Sequence, residues 1–119
     1  MSDVFTFETR TDPSGAVCVV ELVGKLDPEG SELLGPGLTG LFDAGHRRFV
    51  LDLSRLGYVG SLGLRVFLTL HNKLKTLGGA VALAAVSAPV AQILELTRVN
   101  LLLRRYPTVG EAVDAVRSA

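Results

Sequence analysis

Two short, nearly unbroken apolar runs constrain this chain more than any other feature: Phe49–Leu53 and Ala80–Val86. Runs of this length suit central strands covered on both faces of a sheet. Between them, Phe67, Leu70, Leu74 and Leu77 recur by three and four, while Arg65, Thr69, Lys73 and Thr76 form the opposite stripe. That spacing predicts an amphipathic helix, closed by Gly78 and Gly79. Strand, helix and strand then make a βαβ unit, with the strands parallel and the crossover right-handed.

The rest of the chain extends this unit. Val17–Val23 is rich in β-branched residues and follows the turn signal Asp12, Pro13, Ser14, Gly15, so with Val4–Thr9 it reads as a hairpin. Asp27 is placed to cap a helix with Pro28 at its first position. Leu34, Leu38, Leu41 and Phe42 continue that helix, but Gly35, Pro36, Gly37 and Gly40 weaken it. A kink or a late start is expected there. A third helix runs from Ser87 and Pro89 through Val90, Ile93, Leu94 and Thr97, and Leu101–Leu103 reads as a short strand. Thr108 and Glu111 form a capping box for a last helix whose apolar face is Val109, Ala112, Val113 and Val116. The order is β, β, α, β, α, β, α, β, α. This is the α/β class, expected as one domain over residues 1–119 with a mixed sheet of four or five strands.

Composition removes several function classes. Twelve basic and twelve acidic residues give a net charge of zero, without the basic patch that nucleic-acid binding needs. Apolar residues at 48% and charged ones at 20% suit a packed chain. Cys18 is the only cysteine, and His46 and His71 lack ligand-like spacing, so neither a disulfide nor a metal site is expected. No cofactor is expected. Cys18 reads as core filler, His46 as a loop residue and His71 as a surface residue. The N-terminus carries no leader pattern, and Ala80–Ala91 is far shorter than the roughly 20 residues of a spanning helix. The expected home is the cytoplasm.

Two motifs fail on context. Gly35 to Gly40 spells GxGxxG, but the strand before it ends near Val23, whereas a dinucleotide loop follows its strand directly. Ser61 sits between Gly60 and Gly63, yet Val59 stands where a nucleophile elbow needs glycine. His71 is ten residues along the same helix, about 15 Å away by helical rise, too far to act as its base. Ser61 reads instead as a helix cap accepting from the amide of Gly63 or Leu64. It also offers an exposed hydroxyl at the positive end of a helix dipole, a setting that favours an attached phosphate.

The run from Leu51 to Leu64, LDLSRLGYVGSLGL, resembles the signature of STAS domains, the family of bacterial anti-sigma-factor antagonists and sulfate-transporter tails. Gly24–Asp27, Gly78–Gly79, Val86–Pro89 and Leu94–Thr97 agree in order and spacing, and the resemblance runs from about Val17 to Val116. It implies a small α/β domain that works by binding. In the antagonists, the unphosphorylated form binds an anti-sigma factor that is also a serine kinase, and phosphorylation of the serine opening the helix releases it. Residue for residue, that serine is Ser61. Two positions depart from the pattern: Gly60 replaces the usual acid, and Leu62 replaces a second serine or threonine. Loss of the acid bears on phosphoryl transfer, which rests on positioning. The resemblance therefore implies a phosphorylation-switched antagonist, with a phosphate-independent STAS adaptor or scaffold as the alternative. Asp27, Gly60, Ser61, Leu62 and Arg65 are the expected partner-binding residues. The loops 24–30, 56–61 and 86–89 are expected at one end of a monomer or weak homo-oligomer.

Overall fold

The computed structural model describes residues 4–118. A hairpin of β1 (Thr6–Thr11) and β2 (Cys18–Leu26) opens the fold, joined by a turn in which the buried Asp12 accepts from the amides of Ser14 and Val17 and from the Ser14 hydroxyl. Next come α1 (Pro28–Asp43), β3 (Arg48–Val59), α2 (Ser61–Thr76) and β4 (Ala80–Ala84). The chain ends with α3 (Ala88–Leu96), a 3-10 turn at Val99–Leu101, β5 (Arg104–Tyr106) and α4 (Val109–Arg117).

The strands lie in the order β1-β2-β3-β4-β5, with β1 antiparallel to β2 and the other three pairings parallel. The sheet is therefore mixed, five-stranded, and parallel through the βαβ unit, as the apolar runs imply. One face packs against α1, α2 and α3 through Leu34, Leu38, Phe67, Leu74, Val90 and Leu94. The other is covered by α4, whose Ala112, Val113 and Val116 meet Val17, Val19, Val50, Ala82 and Ala84. Arg48 Nε donates to the Val116 carbonyl at 3.0 Å and satisfies an end group of α4.

Three expectations need correction. The strand expected at Leu101–Leu103 is not there. Arg98 turns left-handed at φ 62 and ends α3, so Val99 and Leu103 enter the core from a turn, with Leu103 N donating to Val99 O at 3.0 Å. The strand follows at Arg104–Tyr106, an edge strand whose two arginines hid it in the sequence. The late start of α1 does not occur either: Asp27 Oδ1 accepts from Gly30 N at 2.8 Å, and the helix begins at Pro28. It continues through Pro36 because its glycines let it sit close to β1. A Cβ on Gly30 would stand 2.8 Å from Phe5 Cβ, and one on Gly37 2.5 Å from Phe7 Cζ. Packing that only glycine permits offsets the propensity these residues lack. The third correction concerns Ser61.

Candidate functional site

The ends of β2 and β3 run side by side as parallel neighbours, with Leu26 opposite Val59. The register slips between Gly24 and Lys25, and Gly24 takes φ 99, a conformation that suits a residue without a Cβ. Beyond this slip, Gly60 N donates to Leu26 O at 3.0 Å. Asp27 and Ser61, each one residue further on, therefore start their helices from a single hydrogen-bonded junction. The third loop joins at the same end: Ser87 Oγ donates to Leu56 O at 2.6 Å, beyond the last pairing of β3 with β4. The three loops gather as the strand ends imply.

Gly60, not Ser61, is the N-cap of α2. It is extended at φ −93, its carbonyl accepts from Leu64 N at 3.0 Å, and no side chain caps the helix. Ser61 is the first helical residue. It faces outward, so its hydroxyl stays exposed instead of folding back on the amides. The first turn also holds no acidic residue, which leaves the positive end of the dipole uncompensated.

Around Ser61 the other expected site residues take distinct positions. Asp27 is half-buried and commits Oδ1 to the cap of α1, so its charge is held in place at the junction. Leu62 is 43% exposed. Arg65 is exposed one turn beyond Ser61 and forms no ion pair among the described residues. Gly63 is buried, and a Cβ there would fall 2.6 Å from Leu26 Cδ2 and 2.9 Å from Val59 Cγ2. Glycine at 63 is what lets the first turn of α2 rest on the ends of β2 and β3.

Tyr58 belongs to this site and sequence reasoning passed over it. It is 43% exposed at the end of β3, and its hydroxyl stands 3.2 Å from where a Cβ on Gly60 would be. An aromatic ring thus occupies the flank of the position where the family resemblance expects an acid. Ser87 was also passed over as a tie between loops, since its role depends on a carbonyl 31 residues away in sequence. With Leu62, Tyr58 places apolar surface beside a neutral hydroxyl and an unpaired cation, an arrangement suited to a protein partner.

The remaining chemistry is sparse. Cys18 is buried, and desolvation pushes its thiol pKa up from the ordinary value, as expected of core filler. His46 is half-buried in the loop before β3, edge-on to Phe49 with ring centres 6.3 Å apart. His71 lies on α2 itself, half-buried. Among the described residues, no group of three or more His, Cys, Asp or Glu is placed to hold a metal ion, and no helix is long and apolar enough to cross a membrane.

Comparison with known proteins agrees with the fold. The chain is 33% identical over 86 residues to BtrV of Bordetella bronchiseptica, which carries the designation of anti-sigma factor antagonist; the match covers 72% of this chain and 74% of that one. The fold superposes with a TM-score of 0.86 on the crystal structure of an anti-sigma factor antagonist from Mycobacterium paratuberculosis, at 25% identity and covering 98% and 97% of the two chains. The antagonist SpoIIAA in its unphosphorylated form shares the fold, with a TM-score of 0.80 at 22% identity over 96% and 98% of the chains. The family model for the STAS domain matches residues 8–112, and the chain belongs to that family.

Proposed function

We propose that this chain, as one domain spanning residues 1–119, is an anti-sigma factor antagonist that acts by binding and not by catalysis. Its contact surface is the β2–α1 and β3–α2 end of the sheet, with Asp27, Gly60, Ser61, Leu62 and Arg65 in the interface. Its partner is an anti-sigma factor that is also a serine kinase, and phosphorylation of Ser61 ends the complex. The observation that carries this reading is the exposed Ser61 hydroxyl at the start of α2, free of any capping bond. The designation of BtrV supports the antagonist role, and SpoIIAA, which shares the fold, has structures in phosphorylated and unphosphorylated forms.

The electrostatics give the switch its sign. A phosphate adds a charge of about −1.5 to −2. On Ser61 it meets uncompensated helix amides and, one turn along, the Arg65 guanidinium. The phosphoserine is stabilised within the chain, while a partner that docks on a neutral hydroxyl beside Leu62 and Tyr58 must now desolvate a dianion. Binding weakens although folding does not.

A second reading, a STAS adaptor whose contacts ignore phosphate, is favoured by Gly60 and by the Tyr58 ring beside it. Incubation with ATP and each anti-sigma kinase of the same genome, followed by intact mass measurement, separates the two. The switch gives one phosphate on the wild type and none on Ser61→Ala. No phosphate, with the same complex formed with or without ATP, selects the adaptor.

A further inference from the structure

A groove of about 170 Å³ runs between α1 and α2. Leu38 and Phe42 line it from α1 and Val66 and Leu70 from α2, and Gly35 adds no side chain where it faces Val66. The charged groups lining it are both cations, Arg65 and Lys73. They stand eight residues apart on α2 with Thr69 midway, about 12 Å by helical rise. A third cation reinforces the far end: the Arg47 guanidinium lies 4.1 Å from the centre of the Phe42 ring, and Lys73 Nζ lies 5.4 Å from it. None of these three cations forms an ion pair among the described residues.

An apolar trough with unneutralised positive charge at both ends fits an occupant that is apolar in the middle and anionic at its ends. The volume is well below the roughly 300–1,000 Å³ of small-molecule sites, but it is large enough for one or two apolar side chains. We propose that this groove docks an acidic amphipathic helix of the anti-sigma factor. Such a helix lying along α2 sets one large apolar residue into the trough, with Asp or Glu about one turn to either side, matching the spacing of Arg65 and Lys73. Arg65 makes the groove continuous with the Ser61 surface, so both are covered by one partner. The inference rests on the antagonist reading and extends its interface along α2.

The test titrates the full chain against the anti-sigma factor identified in the ATP experiment, using Lys73→Glu and Thr69→Trp. Lys73 and Thr69 are exposed helix positions away from the Ser61 junction. The first variant reverses a charge and the second fills the trough with the chain's own ring. Each is expected to lower affinity about tenfold at low salt, with the melting temperature held and the salt dependence of Lys73→Glu shallower than that of the wild type. Wild-type affinity in both variants overturns the groove proposal. If Ser61→Asp still weakens binding in that same assay, the antagonist reading stands without it; no complex with the wild type overturns both. A wild-type dimer in light scattering that Thr69→Trp dissolves assigns the groove to a second copy. Dodecanoate binding lost in both variants while the anti-sigma complex is unchanged assigns it to an anionic amphiphile. Either result overturns the proposal.

Discussion

The amide of Gly60 donates to the carbonyl of Leu26 at 3.0 Å, tying the residue before Ser61 to the residue before Asp27. Two loops separated by a whole helix and strand thereby become one surface. Gly63 keeps that surface closed, because its missing side chain is the space into which Leu26 and Val59 pack.

Gly63→Ala forces a methyl into contact with two fully buried side chains. Denaturant unfolding is expected to show a loss of about 1–3 kcal/mol, the usual cost of overpacking. Gly40→Ala is the matched control, since a Cβ there meets nothing within 4 Å in the same helical backbone class. It is expected to gain about 0.5–1 kcal/mol from helix propensity. Equal effects of the two substitutions contradict the packing account.

Gly60→Asp restores the family's acid. The backbone at φ −93 accepts any residue, and the new Cβ meets the outer end of the exposed Tyr58 side chain, 3.2 Å from its hydroxyl, and stands 3.7 Å from the Leu26 carbonyl, an ordinary contact. Single-turnover phosphorylation of Ser61 is expected to speed up about tenfold as a carboxylate orients the hydroxyl. An unchanged rate contradicts a role for an acid at position 60 in orienting the Ser61 hydroxyl.

The parts of the fold that were legible in sequence are those where one residue's chemistry sets its structure. Asp27 with Pro28, and Thr108 with Glu111, announce their helices, and both caps form. The apolar runs of β3 and β4 are read correctly for the same reason, since burial on both faces leaves little choice of residue. What escaped depends on distant partners. The continuity of α1 through Pro36 rests on Phe5, just before β1, and Phe7, within it. The outer half of β3, Ser54–Val59, alternates poorly because only β2 pairs with it. The cap of α2 passed to Gly60 because its bond to Leu26 sets where the helix begins. The family resemblance pointed to Asp27, Gly60, Ser61, Leu62 and Arg65 as the candidate site, but not to Tyr58, to Ser87 or to the Gly60–Leu26 bond, because contacts between distant loops leave no trace in side-chain pattern.

Asp12 links pH to stability. The Ser14 hydroxyl, then the Val17 and Ser14 amides and Arg117, hold its carboxyl below the ordinary value despite opposing desolvation. A carboxylate with a depressed folded pKa contributes stability above its unfolded pKa, near 3.9, and that contribution is lost as pH falls through the folded value. Acid titration of unfolding is expected to show this loss below about pH 4, with a smaller slope in Ser14→Ala. The same slope in both proteins contradicts the assignment.

Arg65→Glu reverses an exposed, unpaired charge near the start of α2. Stability is expected to stay within about 0.5 kcal/mol, while affinity for the anti-sigma factor falls. Unchanged affinity in calorimetry places Arg65 outside the interface.

The most direct test compares Ser61→Ala and Ser61→Asp in calorimetric titration against the anti-sigma factor. Since Ser61 makes no cap bond, both variants are expected to fold with stability within about 1 kcal/mol of the wild type, so affinity alone reports the interface. The account expects Ser61→Ala to bind like the wild type and Ser61→Asp to bind at least about tenfold more weakly. Equal affinities for Ser61→Asp and the wild type contradict it.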